Sequence, residues 1–156
     1  MDVLVIGVGN EFREDDAIGV LVARRLGERD LPGIKVIEQN GEGAALIAAW
    51  EGAETVFLID AAQSGAEAGT IHCFEAHETP LPVDFFSFSS HAFGAAEALK
   101  LSRTLGELPD RVVVYGIEGA NFAAGLGLSQ PVEQALEIVV QRLLDEILPL
   151  SGNCRG

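Results

Sequence analysis

The sequence predicts an α/β protein: a three-layer sandwich in which helices cover both faces of a mostly parallel five-stranded sheet. Three observations lead to this fold class. Short apolar segments alternate with segments whose apolar residues recur every three or four positions. The chain has 156 residues, 48% of them apolar, which is enough for one core. One connection, over residues 61–69, is too short for a helical crossover, so we expect one antiparallel strand.

The first half of the chain predicts three strands and two helices. Residues 3–7 are continuously apolar, as a strand buried on both faces requires. A helix from about Asp15 follows, and Gly27 and Pro32 end it. Residues 34–38 predict a second strand, residues 41–50 a short helix, and residues 54–60 a third strand that ends on a carboxylate. This order is typical of parallel strands joined by helices.

The second half predicts two further strands, over residues 70–74 and 111–117, and two helices. One helix is expected to begin near Ser90 and to end near Leu105. Ser129 is expected to cap the last helix. Five apolar positions form an unbroken stripe on that helix: Val132, Leu136, Val139, Leu143 and Ile147. We expect a single domain over residues 1–150 and a C-terminal tail over residues 151–156.

The composition limits the classes of partner. Twenty-four acidic residues against ten basic ones give a net charge of −14, which repels nucleic acid and anionic membranes but tolerates cations or a basic partner. A role in solubility alone is an equally good interpretation of this charge. The two cysteines have no metal-ligand spacing, and no apolar run reaches the length of a membrane span. We therefore expect a cytoplasmic protein that binds neither nucleic acid nor membranes.

The opening segment VLVIGVGNEFREDDAIG resembles a nucleotide-binding loop but lacks its chemistry. Gly7 and Gly9 are present, whereas Phe12 stands where a dinucleotide fingerprint needs its third glycine. The four acids of the segment would also repel a phosphate. Some of them, such as Asp15, can be explained as helix-dipole partners, worth roughly 0.3–1 kcal/mol each. That interpretation does not explain why the loop keeps its glycines and Asn10, which suit a backbone held tightly against another group.

Three polar positions are expected at one edge of the sheet. Asp16 and Asp60 follow separate parallel strands, and His91 lies in the predicted first turn of a helix. Each has a simpler interpretation: a first-turn carboxylate, a turn former and a structural histidine. Two unpaired carboxylates would raise one another's pKa, and a bound cation would relieve this. Together the three suit a divalent metal of borderline hardness with open coordination positions.

Other catalytic patterns are absent from the sequence. Neither HExxH nor GxSxG occurs. Ser90 directly precedes His91, and neighbouring side chains on a helix point apart, so the two do not form a nucleophile–base pair.

Three segments, GVGNEFREDDAIG, IDAAQSGAEAGTI and SSHAFG, resemble in order and spacing the hydrogenase maturation proteases, as does the closing GLGLSQPVEQAL. The resemblance implies this α/β fold and an endopeptidase that removes the C-terminal extension of a nickel–iron hydrogenase large-subunit precursor after nickel insertion. It also implies that two acids and one histidine bind the precursor's nickel. These positions fall on Asp16, Asp60 and His91, which we assign as metal ligands and catalytic residues.

One position departs from the family pattern. The turn after the second strand reads QNGEGAAL, with Glu42 where the family usually has a small hydroxyl residue. Glu42 can reach the metal, bind a basic residue of the substrate, or only cap the following helix. We expect Gly9, Asn10, Gly41 and Glu42 to contact the substrate.

The resemblance also indicates cofactors and partners. The nickel is expected to arrive with the substrate, and the protein itself, expected to be a monomer, needs no permanent cofactor. Nickel is expected to polarise the scissile carbonyl or a water molecule, with Asp16 or Asp60 as base. Two alternatives stay open. One is a noncatalytic, metal-dependent chaperone of the hydrogenase subunit, and the other is a peptidase of the same fold that acts on an unrelated protein.

Overall fold

A computed structural model describes residues 3–81 and 93–150. The strands within these residues are β1 (Val3–Val8), β2 (Ile34–Gln39), β3 (Thr55–Ala62), β4 (Ile71–Glu75) and β5 (Arg111–Glu118). The α-helices are α1 (Ile18–Gly27), α2 (Gly43–Trp50), α3 (Ala95–Leu105) and α4 (Gln130–Ile147). Short 3-10 turns precede α1 at Glu14–Ala17 and follow α4 at Leu148–Leu150. The expected tail over residues 151–156 lies outside the described residues.

The five strands form one sheet in the order β2-β1-β3-β5-β4. All pairs are parallel except β4 with β5, so the predicted fold class is confirmed. The short connection after β3 does reverse the chain, as expected. However, β4 does not pair with β3, because β5 lies between them and Ile71 is opposite Ile117.

Both faces of the sheet are covered, which explains the continuous apolar runs. Alternate residues of β1 point to opposite sides: Val5 belongs to the core beneath α1 and α4, and Ile6 to the core beneath α2 and α3. Both side chains are fully buried. All five residues of the predicted apolar stripe on α4 are buried against the first of these faces. The layers are therefore two helices, the sheet and two helices.

Two helix starts differ from the prediction. The α-helix after β1 begins at Ile18 and not near Asp15, because residues 14–17 form a tighter turn around the buried Asp15 side chain. The helix that was expected to begin near Ser90 begins at Ala95 instead, because Phe93 and Gly94 are not helical. The N–H of Gly94 donates to the carboxylate of Glu97, 3.0 Å away, which fixes this start. Ser90 lies outside the described residues.

The last helix also begins in an unexpected way. Ser129 does occupy the N-cap position of α4, but its side chain does not accept a hydrogen bond from the helix. Its hydroxyl donates instead to Asp15, at 2.8 Å. The helices among the described residues include none that is both long enough and apolar enough to cross a bilayer.

Candidate functional site

Two neighbouring strands bring Asp16 and Asp60 to the same edge of the sheet. β1 and β3 run side by side with Gly7 opposite Ile59, so the loop after β1 lies beside the carboxyl end of β3. Asp60 does not end its strand, because β3 continues for two residues that pair with β5. Its Oδ1 accepts the N–H of Ala61 at 2.7 Å. The edge is the one where ligands bind in open parallel sheets.

The loop that carries Asp16 folds back on itself. The N–H of Asn10 donates to Asp16 Oδ2 at 3.1 Å, and Asn10 Oδ1 accepts the N–H of Phe12 at 2.9 Å. Gly9 has φ of 152°, and a Cβ atom there would lie 2.0 Å from the carbonyl oxygen of Asp16. The close approach that Gly9 permits is therefore to the chain's own Asp16 turn, and no external ligand is needed to explain it.

The two carboxyl groups lie in surroundings that disfavour their charges. Burial raises the pKa of Asp16, against the opposing effects of the Asn10 N–H and the positive charge of Arg13. Burial and the negative charge of Asp16 raise the pKa of Asp60 well above its ordinary value, and the N–H of Ala61 only partly offsets this. The charge of Asp16 thus acts on Asp60, and a cation between the two side chains would oppose both shifts by favouring the charged carboxylates.

His91, the third expected member of the site, lies outside the described residues. The assignment of Asp16, Asp60 and His91 as a set of ligands therefore stays a prediction. The expected place of His91 in the first turn of α3 is wrong, because α3 begins at Ala95.

Sequence reasoning missed the role of Asp15, whose side chain is completely buried. Its Oδ2 accepts the N–H groups of Ala120 and Asn121 at 2.7 and 3.0 Å and the hydroxyl of Ser129 at 2.8 Å. Its Oδ1 accepts the N–H of Ser129 at 2.7 Å. These donors satisfy a charge that would otherwise be costly to bury. Asp15 therefore anchors the segment after β5 to the turn that carries Asp16.

Further contacts tie the same two segments together. Arg13 donates through Nε and Nη2 to the carbonyl oxygen of Phe122, at 3.2 and 3.1 Å. The N–H of Glu14 donates to the carbonyl oxygen of Gly125. The N–H of Gly125 donates in turn to the carbonyl oxygen of Phe12. The Asp16 turn is thus held in place by residues more than a hundred positions later in the chain.

Glu118 is a second buried acid that the sequence did not mark. It accepts hydrogen bonds from the Ser64 hydroxyl at 2.7 Å and from the N–H groups of Ser64 and Gly65 at 2.8 and 3.2 Å. His72 Nε2 lies 3.1 Å from the same carboxylate. Glu118 therefore fixes the loop that leaves β3 shortly after Asp60.

Glu42 caps α2. Its two carboxylate oxygens accept the N–H groups of Ala44 and Ala45, each at 3.0 Å, and Asn40 Oδ1 accepts the N–H of Glu42 at 3.1 Å. Gly41 between them has φ of 97°, a conformation that favours glycine. Of the interpretations left open for Glu42, the helix cap accounts for these contacts.

Another group of potential ligands lies at the opposite edge of the sheet. Within the described ranges, Glu75, His77 and Glu78 are the one set of three whose ligand atoms approach within 4.8 Å. The N–H of the buried Val112 donates to His77 Nδ1 at 3.1 Å. Nδ1 also lies 3.2 Å from the carbonyl oxygen of Val112, and Nε2 faces Glu75 and Glu78 at 3.5 and 3.7 Å. The contacts of Nδ1 with the backbone of β5 account for the position of His77 without a metal.

Comparison with known proteins identifies the family of this chain. The family model described as hydrogenase maturation protease matches residues 20–146, a range that includes Asp60 and His91 and begins just after Asp16. The hydrogenase 2 maturation protease of Escherichia coli K12 is 29% identical over 147 residues, covering 92% of this chain and 89% of that protein.

Solved structures agree with this match. An endopeptidase from Escherichia coli superimposes with a TM-score of 0.82 at 26% identity, covering 94% of this chain and 92% of the other. The hydrogenase maturating endopeptidase HybD from Escherichia coli gives a TM-score of 0.77 at 25% identity with the same coverage. The chain therefore belongs to the hydrogenase maturation protease family.

Proposed function

We propose that this protein is an endopeptidase that removes the C-terminal extension of a nickel–iron hydrogenase large-subunit precursor after nickel has been inserted. The observation that carries the proposal is the pair of Asp16 and Asp60 at the carboxyl edge of the sheet, where the charge of one carboxylate raises the pKa of the other. A pair of this kind is suited to a divalent cation, and membership of the family indicates which cation-bearing substrate to expect.

The precursor's nickel is the recognition element in this proposal. Asp16, Asp60 and His91 would supply two oxygen ligands and one nitrogen ligand, a mixture that suits borderline divalent ions. Nickel would arrive already bound to the precursor and would need only the positions that the precursor leaves open. The rigid attachment of the Asp16 turn to the segment after β5 supports this role, because a preorganised ligand loses little freedom on binding.

Hydrolysis requires an activated water molecule and a polarised carbonyl group. Nickel in this position would polarise the scissile carbonyl or the water. One of the two carboxylates, Asp16 or Asp60, would act as the base. The base takes a proton from water, the resulting hydroxide attacks the carbonyl carbon, and the C–N bond breaks as the nitrogen is protonated.

The order of maturation follows from this arrangement. A precursor without nickel offers the two carboxylates no positive charge, so it binds weakly and is not cleaved. Cleavage after nickel insertion then commits the subunit to its loaded state. This dependence on nickel carried by the precursor distinguishes the proposed enzyme from a peptidase that holds its own metal.

The test is mass spectrometry of nickel-loaded precursor before and after incubation with the protein. We expect shortening by the wild type, and a loss of at least about 100-fold in rate for Asp16→Asn, Asp60→Asn and His91→Ala. Asp110→Asn, a change at an exposed acid, is the matched control.

Two results would contradict the proposal in different ways. Tight binding of the loaded precursor without any shortening would indicate a noncatalytic chaperone. Equal rates for nickel-free and nickel-loaded precursor would show that nickel is not the recognition element, although the endopeptidase activity itself would stand.

A further inference from the structure

A groove of about 620 Å³ lies beside the Asp16 turn, between the loop after β1, the end of β2 and the start of α2. Three of the residues that line it are glutamates: Glu11, Glu38 and Glu42. Among the described residues lining the groove, none is Lys or Arg. Asn10, which binds the Asp16 carboxylate, also lines it, so the groove opens directly beside the proposed site.

The carboxylates of the groove are held in place but not neutralised. Arg24 lies 2.6 Å from Glu11 and 2.9 Å from Glu38, so one cation serves two carboxylates. Glu42 adds a third negative charge, although its oxygens accept hydrogen bonds from the start of α2. The groove therefore keeps a net negative charge and presents it in a fixed geometry, which favours a cationic occupant.

Two exposed apolar residues form a rim here: Phe12, which lines the groove, and Leu126, whose segment pairs with the Phe12 backbone. The side chain of Phe12 is 62% exposed and that of Leu126 is 74% exposed, the two most exposed large apolar side chains of the described residues. Their backbones are adjacent, because the N–H of Gly125 donates to the carbonyl oxygen of Phe12. The Asn10 side chain and this bond fix the Phe12 backbone, so the aromatic ring is presented from an ordered turn. Exposed apolar residues on a fixed turn are typical of contact residues.

We propose that Glu11, Phe12, Glu38 and Leu126, here called the docking surface, bind an extended segment of the precursor that carries at least one Lys or Arg beside an apolar residue. The inference rests on the proposed function and names the surface that selects the substrate. The negative groove receives the basic side chain, and the rim receives the apolar one. A second copy of this chain is a poor occupant, because each copy carries a net charge of −14.

The docking surface determines the affinity for the precursor and not the rate of the bond-breaking step. Loss of Phe12 or of the Glu38 charge should weaken precursor binding while leaving the bond-breaking step unchanged. The part of the interaction that depends on Glu38 should weaken as salt rises, because the groove is open to solvent. A residue that merely supported the fold would alter neither the KM nor its salt dependence selectively.

The experiment compares Phe12→Ala and Glu38→Gln with matched surface changes. Ile138→Ala removes another exposed apolar side chain, and Glu137→Gln removes a carboxylate that pairs with Arg25 at 2.5 Å. The KM for nickel-loaded precursor and its Kd, measured by biolayer interferometry, should each rise roughly 5- to 20-fold for the two docking-surface variants. The kcat should stay within twofold, and the controls should match the wild type.

Precursor variants test the chemistry of the occupant. Lys and Arg residues in the precursor's C-terminal region are replaced one at a time by Gln. At least one replacement should raise the KM of the wild-type enzyme. The same replacement should raise the KM of Glu38→Gln little further, because that variant already lacks the complementary charge.

The outcomes distinguish this inference from the proposed function. If the wild type cleaves the precursor and the docking-surface variants keep wild-type KM and Kd, the docking surface is wrong and the endopeptidase proposal stands. If the precursor binds without cleavage, the Kd values still decide the inference. If no replacement of a basic residue in the precursor matters, the occupant is not basic and the inference fails.

Discussion

Asp15 and Ser129 are 114 positions apart in sequence, yet Ser129 donates both its N–H and its hydroxyl to the Asp15 carboxylate, at 2.7 and 2.8 Å. The same carboxylate accepts the N–H groups of Ala120 and Asn121. It thus holds the segment after β5, the start of α4 and the turn carrying Asp16 at one point. The negative charge beside the N-terminus of α4 is also favourable for the helix dipole.

Asp15→Asn should destabilise the protein by about 2–4 kcal/mol, because an amide turns an NH2 group towards donors that require an acceptor. Urea denaturation at neutral pH measures the loss. Ser129→Ala is the matched control, since it keeps the backbone N–H donation and removes only the hydroxyl, at a cost of about 1 kcal/mol. Equal costs for the two variants would show that the carboxylate is not the centre of the network.

Glu42→Ala should lower stability by about 1 kcal/mol, because two N–H groups at the start of α2 lose their acceptor. Glu42→Ser should recover most of this loss, since serine is a good N-cap residue without a charge. Thermal unfolding measures both variants. Precursor cleavage by the folded Glu42→Ser protein then separates the two roles. If that variant is stable but its processing is slow, the carboxylate also acts on the substrate.

The strands could be predicted from sequence because burial on both faces leaves a simple signal. Residues such as Val5 and Ile6 point to opposite cores, so every position of β1 must be apolar. The predicted strand ends are within two residues of those observed. The largest error, of two residues, is at Asp60, where the carboxylate was taken as the end of β3. The strand continues because Ala61 and Ala62 still pair with β5.

The buried acids could not be predicted, because their partners are remote in sequence. Asp15 reads as an exposed first-turn residue, and nothing nearby indicates donors around residues 120–129. Glu118 likewise ends an apolar strand and binds a loop more than fifty positions earlier. The start of α3 was missed for a local reason: Glu97 satisfies the N–H of Gly94 and so allows the helix to begin without a side-chain cap. That Asp16 and Asp60 share one edge of the sheet could be predicted, because the edge follows from topology, whereas their role as ligands with His91 stays a prediction.

His77→Ala should destabilise the protein by about 1–3 kcal/mol, because the buried N–H of Val112 loses its acceptor. His77→Asn should cost less, since Oδ1 of asparagine can take the place of Nδ1 as acceptor. Urea denaturation ranks the two variants. Isothermal titration calorimetry with zinc or nickel is the second measurement. The heat of metal binding should be the same for the wild type and for the variants that lack His77. A lost binding event in the histidine variants would instead show that Glu75, His77 and Glu78 hold a metal.

Asp60→Asn should make the metal-free protein more stable than the wild type at pH 7–8. The pKa of Asp60 is raised in the folded state above the ordinary value of about 3.9. Between these two values the folded state binds more protons than the unfolded state, so stability falls as pH rises through that range. Asparagine keeps an acceptor for the Ala61 N–H, at 2.7 Å from Oδ1 in the wild type, and removes the charge.

The stability gain of Asp60→Asn should therefore be largest above the raised pKa and disappear near pH 4, where both proteins are neutral at this position. Urea denaturation in the presence of EDTA at pH 4, 6 and 8 measures it, with Asp110→Asn as an exposed control that shows no such trend. A variant less stable than the wild type at pH 8 would mean that the Asp60 charge is compensated within the protein. The gain would instead show that the two carboxylates are held together at the expense of stability, as expected of a site that awaits a cation.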